Sequence, residues 1–196
     1  VVKERLREIF RAAIRHDALI NIDMEQYVVK DLTIQIFREL LSEPEFRDWP
    51  HVGIAMQAYL RETERDLREL LEWVRQRGAP VWVRLVKGAY WDYETVICAQ
   101  QKWPVPVYTN KWESDASFER CCTFLMEHHK LLRPAIASHN VRSMAWALAV
   151  AEQLEIPKRD YELQMLYGMG DPLKRVFVDQ NERLQIYTPF GKLLPG

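Results

Sequence analysis

The 196-residue chain is 48% hydrophobic and 11% aromatic, enough for one well-buried core and too little for two comfortable domains. With 27 Lys and Arg against 28 Asp and Glu, a net charge of −1 gives no electrostatic reason to expect a nucleic acid or an anionic membrane, which leaves a small molecule as the expected partner. Cys98, Cys121 and Cys122 fit neither a disulfide framework nor a Cys-x-x-Cys metal site, Lys3, Glu4, Arg5, Arg7 and Glu8 break up any signal peptide, and no apolar run approaches the ~20 residues of a membrane span, so a soluble protein of a reducing cytoplasm is expected, with peripheral contact to an inner membrane left open.

Val2, Leu6, Ile9, Phe10, Ala13 and Ile14 recur at helical spacing, so the chain opens inside an amphipathic helix. Leu19 to Asp23 reads as a short buried strand, and Val29, Leu32, Ile36, Phe37, Leu40 and Leu41 form the apolar face of a second helix. Val52 to Tyr59 is an apolar strand; Thr63 then caps a helix with Leu67, Leu70, Leu71 and Val74 on its inner stripe, and Gly78 ends it. Val81 to Val86 is the next strand, followed by a helix over Tyr93 to Gln101. Val105 to Thr109 reads as another strand, and Phe118, Cys121, Cys122 and Leu125 mark a helix starting near Ser114. Ala135 to Ser138, Glu162 to Leu166 and Leu184 to Tyr187 complete the strands, with helices over Val141 to Gln153 and Pro172 to Val176 between them.

Strands alternating with helices, without the Gly-rich first turn of a dinucleotide fold, point to a parallel sheet covered by helices, and a (β/α)8 TIM-type barrel fits best. Seven strands are expected, one fewer than a closed barrel needs. The whole of residues 1–196 is therefore read as one barrel-domain fragment, its first strand falling before Val1 and its last helix after Gly196.

In such barrels chemistry sits at the carboxyl ends of the strands. Asp23, Gln57, Arg84, Lys87, Thr109, His139, Asn140, Gln164 and Tyr187 are the polar residues that close the predicted strands. The densest stretch runs from Arg84 to Trp91: two cations, a glycine that permits close backbone approach, then Tyr90 and Trp91, a composition suited to a flat anionic cofactor. Tyr167 to Pro172 is a glycine turn entering a helix, where backbone N–H groups can meet a phosphate. No second His or Cys stands at ligand spacing from His139, so no metal site is expected. Neither a Gly-x-Ser-x-Gly elbow nor a Walker lysine motif occurs.

Seven motifs then match one family in order: Asn21-Ile22-Asp23, Gln57-Ala58-Tyr59, Arg84 through Trp91, Pro106-Val107-Tyr108-Thr109, Ser138-His139-Asn140, Gln164 through Gly170, and Tyr187-Thr188-Pro189-Phe190-Gly191. On them the chain resembles the proline dehydrogenase domain of proline utilization A along nearly its whole length. The resemblance implies a flavoprotein that binds FAD noncovalently and oxidises L-proline to Δ1-pyrroline-5-carboxylate, the first step of proline catabolism to glutamate. The resemblance further implies that electrons pass to a quinone and that an aldehyde (glutamate semialdehyde) dehydrogenase is a fused or separate partner. It places Asp23, Gln57, Arg84, Val86, Lys87, Gly88, Ala89, Trp91, Thr109, Lys111, Ser138, His139, Asn140, Gln164 and Leu166 around the flavin, and Asp23, Tyr90, Leu166 and Tyr187 around proline, with Asp23, Arg84, Tyr90 and Tyr187 carrying the chemistry.

That chemistry suits these residue types. Hydride reaching flavin N5 builds negative charge, which a fixed cation such as Arg84 favours, while Tyr90, Leu166 and Tyr187 can wall a small dry pocket in which Asp23 orients charged groups. The resemblance also implies an arginine pair on a last helix and a lysine on a first strand that clamp the substrate carboxylate, and neither is expected within this chain. A noncatalytic barrel fragment that keeps the rim as a binding or scaffold module is the alternative.

Overall fold

The computed structural model describes residues 1–189. Phe190 and Gly191 of the last motif, and the Leu193–Gly196 end, lie outside the described residues. The order is α1 (Val2–Arg15), β1 (Ile20–Ile22), α2 (Tyr27–Leu41), β2 (Val52–Gln57), α3 (Thr63–Arg77), β3 (Val81–Val86), α4 (Trp91–Gln101), α5 (Lys111–Glu127), β4 (Leu132–Ala137), α6 (Val141–Gln153), β5 (Glu162–Leu166), α7 (Asp171–Asp179) and β6 (Leu184–Tyr187).

The six strands form one parallel sheet in sequence order, a curled half-barrel consistent with part of a TIM-type barrel. Register is set by apolar runs buried on both faces: all six residues of β2 are buried, and Ile54 pairs with Val83, which pairs in turn with Pro134. The core fills the space between sheet and helices, with Phe10, Phe37, Leu40, Leu67, Leu70, Phe118 and Leu125 packed against Val52, Ile54, Val83 and Ile136.

Two polar ties hold the helices and their loops in place. Buried Lys30 on α2 donates to Asp66 at 2.5 Å and Glu62 at 3.0 Å, joining α2 to the start of α3. Burial works against the ammonium, but Asp66, Asp31 and Glu62 more than offset it and raise its pKa. At the opposite end of α3, buried Arg77 donates to the carbonyls of Leu41, Phe46, Trp49, Ala79 and Pro80, gathering the loops below the sheet. Burial lowers its pKa to about 10, still high enough to keep it charged at neutral pH. Gly78 follows α3 with φ +84°, the left-handed turn that favours glycine.

Strand bounds shift by one to three residues, as at β4, which starts at Leu132 rather than Ala135, and three larger expectations are corrected. Residues 105–109 form no strand of the sheet: Val107 makes a single antiparallel bridge to Leu60, Arg61 N donates to the Pro106 carbonyl at 3.0 Å, and Tyr108 N donates to Tyr59 O at 2.8 Å. Two helices, α4 and α5, therefore separate β3 from β4, and the described strands number six rather than seven. Thr63 does not cap α3; it is the first helical residue, and its hydroxyl donates to the Gln57 carbonyl at 2.5 Å. α5 begins three residues before Ser114, because Asn110 and Glu113 form a reciprocal capping box.

Candidate functional site

The carboxyl ends of the strands open onto a cleft of about 570 Å³. Of the residues singled out in the sequence, Asp23, Gln57, Arg84, Val86, Lys87, Gly88, Ala89, Tyr90, Ser138, His139, Gln164, Leu166 and Tyr187 line it. Parallel strands in one register bring them together: Ala55 pairs with Arg84, Ala137 with Gln164, and Leu166 with Tyr187. Trp91, Thr109, Lys111 and Asn140 do not line the cleft. Trp91 donates its indole N–H to the Tyr108 carbonyl at 2.9 Å, Thr109 is exposed in the bend before α5, and Asn140 caps α6 by accepting from Ser143 N at 3.0 Å.

Arg84 is held from three directions. Its Nε donates to Gln164 Oε1 at 2.7 Å, an Nη donates to Asp23, and its guanidinium lies over the Tyr187 ring. The Gln164 amide is oriented in turn, because its Nε2 donates to Glu162 at 2.5 Å and to Gln185 at 2.7 Å. A cation fixed this way keeps its direction without help from solvent.

Lys87 lies past the end of β3 and pairs at 2.5 Å with Asp115, whose other oxygen takes Lys111 at the same distance. Two ammonium groups around one carboxylate leave a net positive charge at this end of the rim. Burial alone would raise the Asp115 carboxyl, but the hydrogen bonds from Lys111 and Lys87 hold it below its ordinary value. Next to Lys87, Gly88 has φ +138°, and a Cβ there would lie 2.5 Å from the ring atoms of buried Tyr59. Only glycine lets the backbone pass this close to the ring.

Gln57 Nε2 donates to the carbonyls of Met24 at 2.9 Å and Glu25 at 3.1 Å, while its Oε1 is buried without a partner among the described residues. His139 Nε2 accepts from Leu166 N at 2.9 Å, which places the ring proton of a neutral imidazole on Nδ1. Tyr90 OH donates to Glu25 Oε2 at 2.5 Å, and that bond, ahead of burial, raises the phenol pKa. The glycine turn after β5 ends in Gly170, the N-cap of α7 with φ +67°, where Lys174 and Asp171 pair at 2.9 Å.

These residues fit a flat heteroaromatic group with an anionic tail. The orphaned Gln57 oxygen can accept an edge N–H, and the Lys87–Lys111 end carries the excess positive charge. Met24, Glu25, Ala55, Ala137 and Met165 also line the cleft, and sequence reasoning did not single them out. For the four apolar ones no signal set them apart from core; Glu25 carried a weak one, as the second carboxylate after the first strand.

A family model for proline dehydrogenase matches residues 1–196. The bifunctional protein PutA of Klebsiella aerogenes is 32% identical over 194 residues, covering 95% of this chain and 15% of that protein. Proline dehydrogenase 2 of Bacillus subtilis (strain 168) is 28% identical over 194 residues, covering 98% of this chain and 56% of that protein. The crystal structure of proline utilization A from Bdellovibrio bacteriovorus inactivated by N-propargylglycine superposes with a TM-score of 0.95 at 53% identity, over 97% of this chain and 20% of that one. This chain thus spans less than two thirds of each of these relatives.

Proposed function

The chain belongs to the proline dehydrogenase family, and from that premise we propose that it forms the flavin-binding part of an enzyme that oxidises L-proline to Δ1-pyrroline-5-carboxylate, with FAD as cofactor and a quinone as the later electron acceptor. The observation that carries this reading is the fixed Arg84 cation in the rim cleft, held by Asp23, Gln164 and Tyr187. Bound FAD would take the hydride that leaves the carbon beside the proline ring nitrogen, once that nitrogen has released a proton to solvent and its lone pair can form the C=N bond. Arg84 favours the negative charge that then develops, and because it is already oriented it costs no reorganisation at that moment. Tyr90, Leu166 and Tyr187 wall the substrate pocket and limit water, and Asp23, hydrogen-bonded to Arg84, orients the charged groups. Gln57 Oε1 would accept a ring N–H, and Lys87 with Lys111 would face the cofactor phosphates.

In this reading residues 1–196 are one fragment of a (β/α)8 barrel, whose further strands come from outside the described residues. The Klebsiella aerogenes relative is bifunctional by name and far longer than this chain, which supports a fused glutamate semialdehyde dehydrogenase as partner. Among the described residues no helix is long and apolar enough to cross a membrane. We place the enzyme in the cytoplasm, with peripheral access to the quinone of the inner membrane. The test is the absorption spectrum of the purified parent protein before and after anaerobic L-proline. The flavin band should be present and bleach on addition; a protein that takes up no FAD on reconstitution, or whose band persists, would favour a noncatalytic binding module.

A further inference from the structure

Among the described residues, the full charges that line the cleft are not all matched. Arg84 is paired with Asp23, and Lys87 with Asp115. Glu25 makes no ion pair among the described residues; its carboxylate accepts only the neutral Tyr90 hydroxyl, at 2.5 Å. The residue is nevertheless fixed from two sides. Its backbone carbonyl accepts from Gln57 Nε2 at 3.1 Å, tying the loop after β1 to the end of β2, and its side chain is tied to the start of α4 through Tyr90. The Tyr90 phenol is raised by its bond to Glu25, then by burial, then by the charges of Glu25 and Asp23, so it stays a donor at neutral pH. A preoriented carboxylate with an unmatched charge in a ligand cleft calls for a cation from the ligand.

The cleft is also polarised. The net positive charge around Asp115 lies at the Lys87 end, and the unmatched negative charge lies at Glu25. An amino acid enters as a zwitterion, so its ammonium needs a carboxylate not already committed to a cation. Asp23 is committed to Arg84, whereas among the described residues Glu25 pairs with no cation. We infer that Glu25 recognises the protonated ring amine of the substrate, with Tyr90 holding its carboxylate in place. The inference rests on the proposed oxidation of a cyclic amino acid at this cleft, and it makes Glu25 a determinant of specificity for substrates that carry a charged ring nitrogen.

The test compares L-proline with tetrahydrofuran-2-carboxylate, which has the same ring and carboxylate but an ether oxygen in place of the ammonium. In the FAD-loaded parent enzyme, Glu25→Gln should raise KM for proline about tenfold or more, falling on KM more than on kcat, as expected for loss of a charge-assisted hydrogen bond. The inhibition constant of the ether should change less than about twofold. Glu25→Asp, which keeps the charge, should recover part of the proline affinity. Thermal unfolding of each variant shows whether the fold is intact. Equal weakening of proline and ether, or no change in either, would overturn the assignment while leaving the proposed function standing. Failure of the unmutated holoenzyme to bleach with proline would instead remove the proposed function, and this assignment with it.

Discussion

The guanidinium carbon of Arg84, in the carboxyl half of β3, lies 5.4 Å from the centroid of the ring of Tyr187, the last residue of β6. These strands are three places apart in the sheet, so the contact spans the mouth of the cleft rather than joining neighbours. Curvature of the sheet brings the two together, and Gln164 on β5 fixes the cation from below.

Replacing Arg84 with Met keeps length and apolar stem but removes the charge. In the parent holoenzyme this should lower the flavin reduction potential and slow anaerobic reduction by proline by about 10²-fold, the usual size of losing one preorganised electrostatic contact. Potentiometry and stopped-flow absorbance check it. An unchanged potential and rate would make Arg84 a structural brace between Asp23 and Gln164.

Gly88 predicts the most severe local effect. Alanine there would have to accept φ +138° and place its Cβ 2.5 Å from the ring of Tyr59, which is 3% exposed and cannot swing aside. A cost of about 1–3 kcal/mol is expected, with weaker FAD retention because the Lys87–Ala89 backbone must shift. Urea unfolding and flavin content after dialysis measure the two effects. Unaltered stability with full flavin content would mean that the turn relaxes freely.

Much of the fold was legible because its strands are apolar runs and its helices carry clean stripes. The helix Val141–Gln153 and the strands Glu162–Leu166 and Leu184–Tyr187 lie where the pattern put them. The failure at Val105–Thr109 has a specific cause. Its β-branched and aromatic residues have strand character, and Val107 is fully buried, but burial is against Tyr59 and Leu60, and the backbone bonds go to the loop after β2. Side-chain pattern reports burial, not the partner of the ladder. Pro134 hid the first half of β4 for the converse reason: a proline argues against a central strand, yet it pairs there with Val83.

Asp115 shows where the site was illegible. Its role depends on α5 starting at Lys111, which puts Lys111 and Asp115 one turn apart and turns Asp115 toward Lys87. The folded-state pKa of Asp115 lies below its ordinary value of 3.8, so its contribution to stability is present above that value and is lost as pH falls through the depressed folded pKa. Asp115→Asn should therefore narrow the stability gap between neutral pH and pH below about 4 relative to the parent, and weaken FAD binding because two lysines lose their shared anchor. Chemical denaturation across pH 3 to 7 and flavin titration check this. Parallel stability–pH curves would show that the triad has no energetic role.

The last prediction concerns the open sheet. Among the described residues β1 pairs only with β2 and β6 only with β5, so each end of the sheet presents unpaired N–H and C=O groups. The β6 end is also apolar: Ile186 is 38% exposed, Tyr187 42%, and Val176 and Val178 on α7 46% and 62%. A parallel edge with that much exposed apolar surface recruits another chain. Expressed alone, the 196-residue chain should self-associate and unfold at a lower temperature than one extended at both ends. It should also bind proline about 10²-fold or more weakly, because no adjacent arginine pair occurs in its sequence and the resemblance implies that such a pair clamps the substrate carboxylate. The comparison is sedimentation, thermal unfolding and proline-dependent flavin reduction of the two chains side by side. Equal stability would mean that the edges are protected in a way the described strands do not show. Equal proline affinity would mean that the carboxylate is held by residues of this chain, and Arg84, the cleft-lining cation that lies over the Tyr187 ring, would be the next residue to test.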